Sequence, residues 1–351
     1  MNRQITLSSV LKKSTFVGSG KTRHVLSFFR NNRFLNSVLL LPYVVLLRCF
    51  ALPGGFPGDI PSKGMLSQWM VGDMFHSSTL SVIIGIILVY FQALQLNRVV
   101  IQNRMTYDLT LFPGMMYVLL VSYFPAYNGL SSPLIANTFI LIALESLFAT
   151  HKKSGSAGRI FDAGLWLAMA GLFYFGYSIL VLFGIVGLSA LRTLKSQEWL
   201  QYFIGYITPI SIFAMLDFVL HGDLTGLAAH FSANMGTLDF QFTGLSTFIN
   251  IGFFALLLLV SLISFGSFKQ RKNIHTQKKV DLLMWLLFFG FSIVLIQARI
   301  GVSDWIVLTI PLACFVAMII AQSTQFIIFE VVHFLFLSGS IAMQLWWIIS
   351  R

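Results

Sequence analysis

Apolar runs long enough to cross a bilayer as helices recur along this chain from residue 34 to residue 349. The hydrocarbon core is ~30 Å thick, so each crossing needs about 20 such residues. The runs fall at 34–52, 79–101, 111–124, 133–149, 200–220, 244–265, 281–297, 302–321 and 325–349. One further stretch, 160–191, is too long for a single helix, and Gly171, Gly176 and Gly184 interrupt it. It reads as two short helices meeting in a tight turn near residues 175–177. The expected fold is therefore all-α, a polytopic transmembrane bundle of about 11 spans. Composition agrees: 57% of the 351 residues are hydrophobic and 10% are charged. A soluble chain carries roughly 25% charged residues, so cytosolic enzymes, secreted domains and disordered proteins are excluded.

The net charge of +11 would suggest a nucleic-acid partner in a soluble protein. Here the spans sort it onto one side. Arg3, Lys12, Lys13, Lys21, Arg23, Arg30 and Arg33 precede the first span, and Arg98 and Arg104 follow the second. Lys152, Lys153 and Arg159 follow the fourth, Arg192 and Lys195 the sixth, and Lys269, Arg271, Lys272, Lys278 and Lys279 the eighth. Only Lys63, Arg299 and Arg351 fall opposite, and Arg48 lies inside the first span. Such asymmetry is the positive-inside pattern. It puts the amino terminus in the cytoplasm and explains the basic excess without nucleic acid. Residues 1–33 then form a basic cytoplasmic segment, and 34–349 a single membrane domain with long outer loops at 53–78 and 221–243. Residues 1–21 are polar and read as loose, not as a signal peptide. Gly18, Ser19, Gly20, Lys21 and Thr22 echo the tail of a phosphate-binding loop, but Thr15 occupies the place of its first glycine and no strand precedes it.

Few residues are left for chemistry. In the first outer loop the candidates for acid, base or proton work are Asp59, Asp73 and His76. Residues 65–76 read as a helix lying on the membrane through Met65, Leu66, Trp69, Met70 and Phe75. The second outer loop offers His221, Asp223, His230 and Asp239, whose spacing matches no metal motif. Cys49 and Cys314 make neither a disulfide framework nor a zinc pattern. No metal and no cofactor are expected. Ionisable residues within spans are costly and face a bundle interior or a wet cavity. Arg48, near the outer end of the first span, can snorkel outward and meet a phosphate. Asp162 opens the fifth span as a favourable N-terminal carboxylate, and Asp217 near the outer end of the seventh reads as solvated. Glu145 sits near the inner end of the fourth. Glu330 and His333 lie one turn apart and share a face, which points to a buried polar pair. Gln92, Asn97, Asn137 and Asn250 should bond between helices.

The order of several short motifs carries a resemblance. They are Gln92-Ala-Leu-Gln-Leu-Asn97, Phe112-Pro-Gly-Met-Met-Tyr117, Leu134-Ile-Ala-Asn137, Arg159-Ile-Phe-Asp-Ala-Gly164, Gly171-Leu-Phe-Tyr174 and Glu198-Trp-Leu200, with Pro209 beyond. Over roughly residues 25–220 the chain resembles an uncharacterised family of polytopic inner-membrane proteins of Bacteroidota, some of which carry the label beta-carotene 15,15'-monooxygenase. That label implies an iron oxygenase with several histidines, whereas of the seven here only His333 lies well inside a span. The same region is more remotely similar to C-type glycosyltransferases, which use a lipid-linked sugar donor and have a long acidic first outer loop and a pair of short central helices. The loop 53–78 and the pair within 160–191 correspond; a clustered acidic pair after the first span does not, since Asp59 and Asp73 stand apart.

The resemblance implies a bacterial inner-membrane protein with a glycosyltransferase-like core, acting on a lipid-linked glycan or other amphipathic substrate at the outer face. Asp59, Asp73 and His76 would be its catalytic groups, and Arg48, Trp69, His221 and Asp223 its substrate contacts. Two other readings fit equally sparse chemistry. One is a non-catalytic scaffold in an envelope protein complex. The other is a transporter, which would align Glu145, Glu330 and His333 along one path and show internal repeats.

Overall fold

The computed structural model describes residues 25–30, 34–52, 64–70, 79–106, 108–151, 155–193, 195–232, 239–240, 245–270, 272–295, 299–300, 302–323 and 326–349. These residues are almost wholly helical. In chain order the helices are α1 (Val25–Phe29), α2 (Phe34–Val38), α3 (Leu40–Arg48), α4 (Met65–Met70), α5 (Thr79–Gln102), α6 (Phe112–Tyr123), α7 (Ser132–Ala149), α8 (Ala157–Phe173), α9 (Leu180–Leu191) and α10 (Ser196–His221). There follow α11 (Thr225–Ser232), α12 (Leu245–Gln270), α13 (Ile274–Phe291), α14 (Thr309–Gln322) and α15 (Phe326–Ile349). Two-residue strands, β1 (Asp239–Phe240) and β2 (Arg299–Ile300), pair in parallel.

Among the described residues six helical segments are long and apolar enough to cross a membrane: Phe34–Ala51, Thr79–Gln102, Ser132–Ala149, Ser196–Leu220, Asp304–Gln322 and Ile327–Trp346. Shorter apolar helices lie at Phe112–Tyr123, Phe175–Leu191 and Ile251–Gly266. The chain is thus a multi-pass, all-helical protein suited to a lipid bilayer. Among the described residues every apolar run read from the sequence is largely helical. The long run 160–191 divides as expected: α8 ends at Phe173, Tyr174 turns extended, and a 3-10 turn over Phe175–Ile179 leads into α9.

The helices differ in what surrounds them. The Asp304–Gln322 segment is 83% buried and the Ser132–Ala149 segment 67%, whereas Ser196–Leu220 and Ile327–Trp346 are 17% buried. So α6, α7 and α14 form the centre, with α5, α8, α9 and α13 around them, while α10 and α15 present Ile207, Met215, Phe218, Leu335 and Trp346 outward. Lipid is as apolar as leucine, so helices here associate through close packing and polar contacts rather than hydrophobic exclusion. Close packing is plain where α8 meets α10. A Cβ on Gly164 would lie 2.3 Å from the Tyr202 carbonyl oxygen, and one on Gly205 2.2 Å from that of Phe161. The polar contacts are those expected of Gln92, Asn97 and Asn137. Gln92 Nε2 donates to the Leu134 carbonyl (2.7 Å), Asn97 Oδ1 accepts from Gly114 N (2.7 Å) and Asn137 Nδ2 donates to the Ile306 carbonyl (3.3 Å). The side chain of Asn250 lies outside the described residues.

Contacts between loops separate into two ends. At the basic end Arg30 pairs with Asp108 (3.7 Å), Arg98 with Glu145 (3.6 Å) and Lys269 with Asp281 (2.9 Å). There too Lys279 Nζ donates to Asn103 Oδ1 (2.6 Å), His151 meets His275 (3.1 Å), and Arg192 binds Glu198 (2.5 Å) and Ser156. At the opposite end Thr79 bonds the Leu52 carbonyl, Ser67 bonds Ser132, Met65 bonds His230, and β1 meets β2. One expectation shifts. Asp162 does not open its helix, because α8 begins at Ala157, just after Gly155 at φ 78°. Asp162 instead lies in the second turn, 4.0 Å from Arg159.

Candidate functional site

The polar centre of the opposite end is built by a short helix. After only twelve residues α6 stops, because Phe124 turns extended (φ −94°, ψ 119°) before Pro125, as the residue preceding proline does. A 3-10 turn over Pro125–Tyr127 follows, and α7 restarts with Pro133 in its first turn. The connection therefore runs inside the bundle, where Phe124, Tyr127 and Asn128 are fully buried. Its free carbonyls would be stranded in an apolar medium, at several kcal/mol each.

Arg48 satisfies them. The last residue of α3 turns inward, not outward as a snorkelling side chain would, and is fully buried. Its Nη1 donates to the Asn128 carbonyl (3.1 Å), its Nη2 to the Tyr127 carbonyl (3.1 Å) and its Nε to Ser122 Oγ (3.3 Å). Gly85 of α5 makes room, since a Cβ there would sit 3.2 Å from Nη1 and 3.3 Å from the Asn128 oxygen. From α15, Gln344 Nε2 donates to the carbonyls of Leu47 (2.5 Å) and Ser122 (3.2 Å), and Ser340 Oγ to that of Ser122 (2.9 Å).

Two features of this centre exceed a structural staple. Among the described residues no carboxylate lies within ion-pair distance of Arg48, although an unpaired buried charge is expensive. Beside it, neither atom of the Asn128 carboxamide has a hydrogen-bond partner among the described residues, whereas buried amides are normally bonded. Asp304, also buried, lies within electrostatic reach of Tyr127 and Tyr177.

At the same end α4 and α11 meet. Met65 N donates to His230 Nδ1 at 3.1 Å, and the ring also meets the Gly171 backbone. A ring nitrogen that accepts carries no proton, so the imidazole is neutral. Burial pushes its pKa down to about 4. Asp217 is buried and not solvated as expected; its Oδ2 accepts from Leu227 N in the first turn of α11 (3.0 Å), so it caps that helix. In α4, Met65 and Leu66 turn into the protein and not toward lipid, while Trp69 and Met70 are 46% and 66% exposed.

The sequence-derived candidates separate accordingly. Asp59, Asp73, His76 and Phe75 lie outside the described residues, as do residues 18–22 and the side chain of His221. Trp69 stands exposed on α4, above the Ser67–Ser132 contact. Asp223 is exposed and accepts from Thr225 N (3.2 Å) and Thr225 Oγ1 (2.7 Å), a turn contact at the start of α11. His333 is buried and its Nε2 bonds Tyr43 Oη (2.9 Å), with Glu330 half-buried one turn before. Glu145 meets Arg98 at the basic end, so it and His333 make their contacts on different helices. Among the described residues no three His, Cys, Asp or Glu side chains gather as a metal site. Asn128 and Ser122 were not singled out from the sequence. The available signal was the polar turn Tyr127-Asn-Gly-Leu-Ser-Ser132 between two apolar runs, which reads as a hydrated loop unless the short α6 is noticed. No family model, no curated protein and no solved structure matches the chain.

Proposed function

We propose that this is an inner-membrane protein of eleven spans with its amino terminus in the cytoplasm, and that it handles a phosphate-bearing, lipid-linked substrate at its outer face on a core resembling the C-type glycosyltransferases. The carrying observation is the buried guanidinium of Arg48, which among the described residues meets no carboxylate, next to the Asn128 carboxamide, which among them has no hydrogen-bond partner. A cation with an amide donor at its side, held in a low-dielectric interior, suits an anionic oxygen. The proposed orientation is supported by the loop contacts. Among the described residues each one joins loops that the charge pattern assigns to the same side. An amphipathic substrate is supported by Trp69 and Met70 exposed on α4. Trp at this level is typical of a membrane interface.

The full chain in detergent should bind a short-chain polyprenyl phosphate at least tenfold more tightly than the matching polyprenol. Equal binding would remove the phosphate role. Catalysis is assigned to Asp59 and Asp73. The paired Asp59→Asn and Asp73→Asn changes should abolish complementation of a deletion strain while leaving polyprenyl phosphate binding intact. Full complementation would mean a binding protein without that chemistry.

A further inference from the structure

A second site for an anion lies at the other end of the molecule. The turn between α5 and α6 and the start of α13 enclose a cleft of about 330 Å³. Arg104, Lys272, Asn273 and Thr276 line it on the polar side, and Ile101 and Leu109 on the apolar side. Among the described residues no carboxylate lines it; the nearby Asp108 is paired with Arg30. Arg104 closes α5 at φ 51°, with Arg104 N bonded to the Ile101 carbonyl and Met105 N to that of Val100 (both 3.1 Å). Glycine is the usual residue at such a helix end, so an arginine is kept there at a conformational cost. Its cation and that of Lys272 come from segments 168 residues apart in sequence (104 to 272), and the fold brings both to one cleft. The polar side can bond phosphate oxygens through the Arg104 fork, the Lys272 ammonium and the Thr276 hydroxyl.

The apolar lining is open to the surroundings: Leu109 is 59% exposed and Ile101 is half-buried. We propose that this cleft binds the phosphate of an anionic phospholipid headgroup, with Leu109 and Ile101 flanking the start of its acyl chains. Placing that lipid in the cytoplasmic leaflet follows from the charge orientation; the binding itself does not depend on the outer-face reading.

The test is titration of the detergent-solubilised full chain with short-chain phosphatidylglycerol, phosphatidylcholine and inorganic phosphate. The protein should bind phosphatidylglycerol in clear preference to the other two. Each interfacial cation contributes on the order of 1 kcal/mol, so the paired Arg104→Gln and Lys272→Gln changes should weaken that binding about thirty-fold. A charge-matched pair away from the cleft, Lys195→Gln with Lys278→Gln, should leave it unchanged. If the double variant elutes as misfolded protein, the single variants decide, each expected about fivefold weaker. Unaltered binding in the cleft variants, or inorganic phosphate binding as tightly as the lipid, would overturn the proposal.

Discussion

The two ends of the bundle use polar groups in opposite ways. At the basic end the charges are many, and several form partly exposed pairs: Arg98 and Glu145 are 64% and 26% exposed, Lys269 and Asp281 42% and 28%. Among the described residues of the other end there are fewer, and several are buried. Arg48 makes three bonds to neutral oxygens, Asp217 caps a helix, and His230 is a neutral bridge. The same residue types therefore carry different weights. Exposed pairs contribute ~0–1 kcal/mol, whereas a buried polar group that loses its partner costs several times more.

The contrast breaks most readily at Arg48. Arg48→Ala strands two backbone carbonyls and Ser122, and the loss should be about 3–5 kcal/mol, seen as a collapse of the melting temperature or of monodisperse yield. Arg48→Lys should recover only part of it, because a single ammonium cannot reproduce the three-way fork. An Arg48→Ala protein as stable as the wild type would erase the difference between the ends.

His230 comes next. Its folded pKa lies below the ordinary histidine value of ~6.5, so the unfolded chain binds the extra proton first. Its contribution is complete above pH 6.5, declines as pH falls toward 4, and changes no further below that. Over that window roughly 3 kcal/mol should be lost. Protection factors against hydrogen exchange at α4 and α11, taken relative to the intrinsic rate at each pH, should fall with acid in the wild type and stay flat in His230→Gln. The smallest effects belong to the basic end. Glu145→Gln or Asp281→Asn should change stability by less than about 1 kcal/mol. Raising salt to ~1 M, where screening reaches ~3 Å, should loosen loops 103–110 and 270–275 while leaving the Arg48 contacts protected.

The apolar runs were readable in the sequence because their length matches what a bilayer demands of a helix. The break between α8 and α9 was readable from run length and glycines. The roles of Arg48 and Asp217 were not, because a residue near a span end can turn outward or inward, and only its partners decide. For Arg48 the partners are carbonyls of a turn exposed to apolar packing by the shortness of α6. For Asp217 the partner is the start of a helix ten residues later. Asp162 was misplaced for a local reason, since α8 begins before the apolar run does. His333 could be placed on a face from its spacing with Glu330, but its bond to Tyr43 spans 290 residues and no local pattern encodes that.

The claim that the outer end holds an anion beside a buried cation has one direct test. Asn128→Asp places a carboxylate beside Arg48, which has none within ion-pair distance among the described residues. The full-length variant should be at least as heat-stable as the wild type and should bind short-chain polyprenyl phosphate at least tenfold more weakly. Undiminished binding in that variant would contradict the account.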